Sequence, residues 1–198
     1  MIIGLIGLIG SGKSTAGNYI KSCGLEVINL DVLSHSVYKK NSDAYHEIIE
    51  IWGKEILNKN SEINRSSLAK IIFSNPENNK PLDNLEAIVW PRLELLLDDL
   101  LSSFEDDAIV FIEGAQIVKS GFIKYCDILW CVISSIENIN KRLEIKDDKK
   151  TDLFKRLKFQ IEEYAKITNI DEFIHNDSTK QDLNNNVQFL LERLRKEV

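Results

Sequence analysis

The sequence predicts an α/β fold: a central parallel sheet flanked by helices, with a helical lobe inserted into it. Three observations carry this. The chain opens on an isoleucine-rich apolar run, Met1–Ile6, which passes directly into Gly7-Leu8-Ile9-Gly10-Ser11-Gly12-Lys13-Ser14 and then into a helical pattern. Further short apolar runs, at 25–29, 108–112, 127–133 and 172–176, alternate with stretches of helical spacing. The stretch from about Ser42 to Phe104 is helical in pattern and too long for a simple crossover between strands.

Residues 7–14 fit G-x-x-x-x-G-K-S/T at every fixed position, in the strand-then-helix context that the pattern requires. Such glycines let successive backbone N–H groups turn inward as an anion nest, and the following helix adds the positive end of its dipole. Gly10, Ser11, Gly12, Lys13, Ser14 and Thr15 are the expected phosphate-binding residues. Lys13 reaches the β- and γ-phosphates of a nucleotide, and the Ser14 hydroxyl ligates magnesium.

Bulk properties narrow the field. A chain of 198 residues with 43% hydrophobic and 28% charged residues reads as one soluble globular domain. The net charge of −6 argues against a general nucleic-acid binder. Cys23, Cys126 and Cys131, odd in number and without C-x-x-C spacing, suggest reduced thiols in the cytosol. The apolar start lacks the basic region of a signal peptide, and no run is long enough to span a membrane. His35, His46 and His175 lack metal-ligand spacing.

In chain order, Leu25–Asn29 reads as the second strand. Asp31 follows it, either as the N-cap of the next helix or as a carboxylate at the mouth of the sheet, where ligands bind. Helices are expected over Ala44–Trp52, Ser66–Phe73 and Leu82–Leu101, with Pro91 starting or kinking the last. Ala108–Ile112 reads as a buried strand ending at Glu113, which is either an acid assisting magnesium or one that opens a helix. After the strand Asp127–Ile133, Ser134-Ser135 caps a helix carrying Lys141 and Arg142. Residues 141–158 hold eight basic against four acidic side chains, either a solvated face or a phosphate-covering lid. Leu153, Leu157, Ile161 and Ala165 should pack its second helix on the body, before a short strand at 172–176 and a terminal helix.

With these elements in place the chain resembles the dephospho-coenzyme A kinases nearly end to end. The stretches that carry the likeness are GLIGLIGSGKST (4–15), VINLDVLSHSV (27–37), INRSSLAKIIFSNPEN (63–78), LEAIVWP (85–91), VFIEGAQIVKSGF (110–122), CDILWCVISS (126–135), KRLEIKDD (141–148), RLKFQ (156–160) and FIHND (173–177). The loop alone is shared by many NTPases. What narrows the family is the order of loop, Asp31, the R-x-x-L-x-x-x-x-F run of Arg65, Leu68 and Phe73, and then the lid.

The resemblance implies a P-loop NTPase fold like that of the nucleoside monophosphate kinases, a three-layer sandwich in a single kinase domain. Its core would be 1–30, 105–140 and 170–198, with a helical substrate lobe at about 31–104 and a lid at about 141–160. It also implies transfer of the ATP γ-phosphate to the ribose 3′-hydroxyl of dephospho-CoA, with Asp31 as base and Lys13 and Arg142 on phosphate oxygens. Asp31 and Arg65 would bind substrate, and Ser14 and Glu113 would serve the magnesium ion. A cytoplasmic monomer or weak homo-oligomer, acting on a small molecule without nucleic acid or membrane, completes the expectation.

Four positions depart from the family pattern. Asn29-Leu30-Asp31 stands where D-x-D is common, Trp90-Pro91 where His-Pro is, and Asn60-Ser61 where D-G is. The second lid arginine is Lys146, unless Arg156 replaces it. The alternatives are another small-molecule kinase of this fold, such as a deoxynucleoside monophosphate kinase, or, less well matched, a GTP switch. Against the switch, Asn140-Lys141 is followed by Arg142-Leu143 and not by x-D.

Overall fold

The computed structural model describes residues 1–74, 80–146, 157, 158 and 160–197, which form two compact units, 1–30 with 106–198 and 31–105. In the first unit a five-stranded sheet has the order β2-β3-β1-β4-β5, every pairing parallel. The strands are β1 (Ile2–Ile6), β2 (Glu26–Asn29), β3 (Val110–Glu113), β4 (Ile128–Ile133) and β5 (Glu172–His175). All four residues of β3 are buried, which explains its unbroken apolar reading, since a central parallel strand is covered on both faces.

Two helices cover one face together. In α1 (Lys13–Ser22), Ala16 and Ile20 meet Leu183, Val187, Leu190, Leu191 and Leu194 from the C-terminal helix, over Ile3, Leu5, Phe111, Trp130, Val132 and Ile174 of the sheet. That last helix, Lys180–Glu197 (α7 below), starts with reciprocal hydrogen bonds between Thr179 and Asp182, a capping box. Because β1 lies between β3 and β4 while the chain crosses to β2 beyond β3, the strand order reverses at the carboxyl end of β1. Ligands bind at such a reversal in open α/β sheets.

The start of α6 (Ile136–Lys146) is built by acceptors. Ser135 Oγ accepts from the Asn138 amide at 3.3 Å, and Asp177 Oδ1, just past β5, accepts from the Ser135 amide at 2.6 Å. The bond from the Ser135 backbone, then those from Asn138 and Ser134, lower the Asp177 carboxyl from 3.8 to about 2.

In the second unit, α3 (Asp43–Trp52) and α4 (Arg65–Ile72) pack on α5 (Lys80–Leu101), with Ile48, Trp52, Leu68, Ile72, Leu93 and Leu97 among the buried residues. Pro91 does not start α5; it sits inside the helix. Proline disturbs the carbonyls one turn earlier, and there the Arg92 guanidinium donates to the Ile88 carbonyl at 2.7 Å. The α2 helix (Leu30–Val37) bridges the units along the chain. Before α4, Ser61 holds a left-handed φ of 59°. Asn58 Oδ1 fixes this turn by accepting from the amides of Asn60 and Glu62.

Two measurements probe these junctions. At this left-handed position Ser61 pays a penalty of about 1–2 kcal/mol, against about 0.5–1 kcal/mol of extra glycine chain entropy. Ser61→Gly should therefore stabilise the protein by up to about 1 kcal/mol in urea denaturation, and a loss of stability would contradict this account. Because the folded carboxyl of Asp177 lies below its unfolded value of 3.8, its stabilisation is complete above that value and is lost as pH falls toward about 2. The stability advantage of wild type over Asp177→Ala should stay constant from neutral pH down to about 5 and shrink below about 4. A constant gap throughout would rule the linkage out.

Candidate active site

The loop that leaves β1 lies at the carboxyl end of the parallel sheet. Gly10 and Gly12 adopt left-handed φ values of 81° and 101°, turning the chain so that α1 begins on Lys13. The helix has no side-chain cap at Gly12 and no acid in its first turn. Ser11 N–H closes a turn onto the Leu8 carbonyl, and Thr15 and Ala16 donate to the Gly12 carbonyl. Among the described residues, the amides of Gly10, Gly12, Lys13 and Ser14 meet no acceptor. Four such donors at the positive end of a helix make a site for a polyanion.

The rest of the loop is tied down by side chains from far along the sequence. Asn176, buried at the end of β5, donates Nδ2 to the Ser11 carbonyl at 2.6 Å. Arg142 Nη1 lies 3.2 Å from the Gly10 carbonyl, 3.3 Å from the Ser11 carbonyl and 3.2 Å from Ser134 Oγ, while its Nη2 donates to the Asn176 carbonyl at 2.6 Å. Gln160 Oε1 accepts from the Ile9 amide at 2.7 Å. The Tyr164 hydroxyl accepts from the Gly7 amide at 3.0 Å and donates to the Gly7 carbonyl at 3.2 Å. Leu8 and Ile9 pack on Ile139, Leu143 and Leu157. Gln160 and Asn176 fall in the stretches 156–160 and 173–177 that carry the likeness, but no motif gave them or Tyr164 a role; Gln160 and Tyr164 are four apart on one helical face.

Glu113 is the last residue of β3 and is followed by Gly114 and turns, so the helix-opening alternative is discarded. Its carboxylate is buried and fully engaged. Lys13 Nζ lies 2.8 Å from Oε1, Ser14 Oγ donates to the same oxygen at 2.6 Å, and Asn29 Nδ2 donates to Oε2 at 3.2 Å. Gly17 makes room for it, since a Cβ there would lie 2.8 Å from Oε2. The neutral amide of Asn29 therefore meets this carboxylate at the position where an acid is common.

Asp31 is not the N-cap. The helix begins at Leu30, which places Asp31 in the first turn of α2 with an exposed side chain. One turn on, His35 is pushed below its usual value by burial and by the Arg65 guanidinium, with Asp31 opposing. Arg65 likewise acts on Tyr38, so Asp31, His35, Tyr38 and Arg65 share one electrostatic neighbourhood within the second unit. Trp90 is half-buried in α5.

Of the expected lid, residues 141–146 continue α6, and Leu157 is buried against Ile139 and Leu143. Ile161, expected to pack, is instead 43% exposed, and Ala165 lies in a turn past the helical stretch 160–164. Leu153, Arg156 and the charges between 147 and 155 lie outside the described residues, as does the side chain of Lys146.

Comparison with known proteins identifies the family. A dephospho-CoA kinase from Fusobacterium nucleatum is 33% identical over 195 residues, 98% of each chain. One from Streptococcus mutans is 31% identical over 198 residues, covering 99% of this chain and 98% of the relative. A crystal structure from Thermus thermophilus superposes with a TM-score of 0.76 at 27% identity, covering 98% of this chain and 97% of the other. A shikimate kinase from Bacteroides thetaiotaomicron shares the fold, with a TM-score of 0.54 at 18% identity and 98% coverage of both. The nucleoside monophosphate kinase alternative is not favoured by these relatives. The dephospho-CoA kinase family model matches residues 1–182, and with phosphate loop, buried acid and full-length relatives in agreement, the chain belongs to the dephospho-CoA kinase family, whose members are ATP-dependent kinases.

Proposed function

We propose that this chain moves the γ-phosphoryl group of ATP to the ribose 3′-hydroxyl of dephospho-CoA, with Asp31 as the base. The observation that carries the reading is the loop, whose amides at Gly10, Gly12, Lys13 and Ser14 meet no acceptor among the described residues while its carbonyls are held from outside. Phosphoryl transfer needs chiefly position and charge neutralisation. The loop amides hold the β- and γ-phosphates, and Lys13 exchanges Glu113 for phosphate oxygens. Arg142, already against Gly10 and Ser11, adds a planar cation at the loop's edge. As the 3′-oxygen bonds to the γ-phosphorus, the bond to the β–γ bridging oxygen breaks and ADP leaves. The hydroxyl proton passes to the Asp31 carboxylate. Arg65 binds the acceptor from the lobe.

Magnesium fits the donor set. Ser14 Oγ and Glu113 Oε1 are hard oxygens 2.6 Å apart, and the described residues hold no cluster of three ligating side chains. That suits an ion completed by phosphate oxygens and water. When bound, it neutralises charge on the β- and γ-oxygens. Three free thiols accord with a cytoplasmic protein, and we read it as a monomer or weak homo-oligomer acting away from membranes and nucleic acid.

A coupled ADP-release assay decides the acceptor. Turnover is expected with dephospho-CoA well above the ATPase background and above any nucleoside monophosphate, and equal rates without dephospho-CoA would refute the reading. In the same assay Asp31→Ala should lower kcat by at least about 100-fold, the lower range for a positioned general base, with ATP affinity nearly unchanged. Wild-type turnover in that variant would leave Asp31 a first-turn helix acid only.

A further inference from the structure

We propose that Gln160 and Tyr164 are positioning residues that hold the leading half of the phosphate loop in its nucleotide-binding shape. This rests on the reading that the loop binds ATP. The loop has two halves with different needs. From Gly10 onward the amides of Gly10, Gly12, Lys13 and Ser14 are the donors this reading gives to the phosphates, and the carbonyls at Gly10 and Ser11 are taken by Arg142 and Asn176. The half from Gly7 to Ile9 precedes the helix and has no helical hydrogen bonds to fix it. A glycine at its head adds freedom that must be lost on binding.

That freedom is removed by one short helical stretch. One hydroxyl, Tyr164 Oη, bonds both polar groups of Gly7, accepting from its amide at 3.0 Å and donating to its carbonyl at 3.2 Å. Four residues earlier, Gln160 Oε1 takes the Ile9 amide at 2.7 Å. The i, i+4 spacing puts both side chains on one face, so two bonded points of the loop are spaced by a rigid element. Burial of Leu157 against Ile139 and Leu143, with Leu8 and Ile9 packed on the same cluster, sets the helical stretch at that distance. Gly7 itself cannot be stiffened by a side chain, because a Cβ there would lie 2.6 Å from both Ser11 Oγ and the Val132 carbonyl. Rigidity therefore has to come from outside the loop. A nest held open before nucleotide arrives spends no binding energy on ordering itself.

Neither side chain contacts the reacting atoms in this account, so the variants should change nucleotide affinity more than the chemical step. Gln160→Leu removes the acceptor at similar volume, and Tyr164→Phe removes one oxygen. Each should raise the ADP dissociation constant and the ATP KM about tenfold, the size expected when an amide loses its partner. The kcat at saturating ATP should stay within about threefold on the same reasoning that the bonds act before chemistry. Hydrogen exchange should quicken at the Ile9 amide in Gln160→Leu and at the Gly7 amide in Tyr164→Phe. Measurements are made by titration of ADP well below each variant's melting temperature, and Tyr164→Phe carries the test alone should Gln160→Leu not fold. ADP affinity within twofold of wild type overturns the proposal, even where the melting temperature has dropped, because that pattern is a purely structural role. Absence of ADP binding by wild type would instead overturn the loop reading, and the inference with it.

Discussion

Backbone amides that converge on an anion send neighbouring carbonyls the other way, and in this chain two of those carbonyls are met by side chains more than 100 residues on. Arg142 and Asn176 reach the Gly10 and Ser11 carbonyls across sequence separations of 131 to 165 residues. A buried carbonyl without a donor is costly, so the nest exists only where the second half of the chain supplies those donors. This constraint explains why the sheet order matters to chemistry. With β4 and β5 on one side of β1, the turns after them, at Ser134 and Asn176, arrive beside the loop and bring the start of α6 with them. Asp177, accepting from Ser134, Ser135 and Asn138, locks the two turns together.

Close approach is the second requirement. Gly12 sits so near Asn176 that any Cβ there would collide with the side-chain amide holding the Ser11 carbonyl. Gly17, inside α1, costs helix stability of about 1 kcal/mol relative to alanine. The absence of its Cβ lets the Glu113 carboxylate lie against the helix, within reach of Lys13 and Ser14. One glycine permits the backbone turn and the other permits the charge cluster, so they are not interchangeable in kind.

Much of this was legible in the sequence because the signals are local. The loop declares itself by spacing, and β3 by an apolar run with no polar alternation, since both its faces are covered. The start of α6 was readable from Ser134-Ser135. Local signals failed where a neighbour in space decided the outcome. Pro91 was expected to start or kink a helix, and it lies inside α5, where Arg92 donates to the Ile88 carbonyl. Asp31 has the composition of a cap, yet the helix starts one residue earlier, directly off β2. Ile161 fits an apolar repeat but is exposed, whereas Leu157 packs as expected, with Leu8 and Ile9 on the same cluster, and Gln160 and Tyr164 add hydrogen bonds to the loop. Gln160 and Asn176 fall in stretches that carry the family likeness, but their roles and that of Tyr164 were not legible, because a hydrogen bond to backbone asks for no particular motif.

Asn29 joins the two halves of the argument. It stands where the family commonly has the first acid of D-x-D, and its amide donates to Glu113 Oε2 at 3.2 Å. An aspartate there would place a second carboxylate against Glu113 within a buried cluster whose only cation is Lys13 among the described residues. Like charges at that separation repel strongly when water is excluded. The amide removes the repulsion and supplies a donor, so Glu113 has Lys13, Ser14 and Asn29 as its partners. Asp31, two residues further on and exposed, is the carboxylate we propose takes the proton of the accepting alcohol.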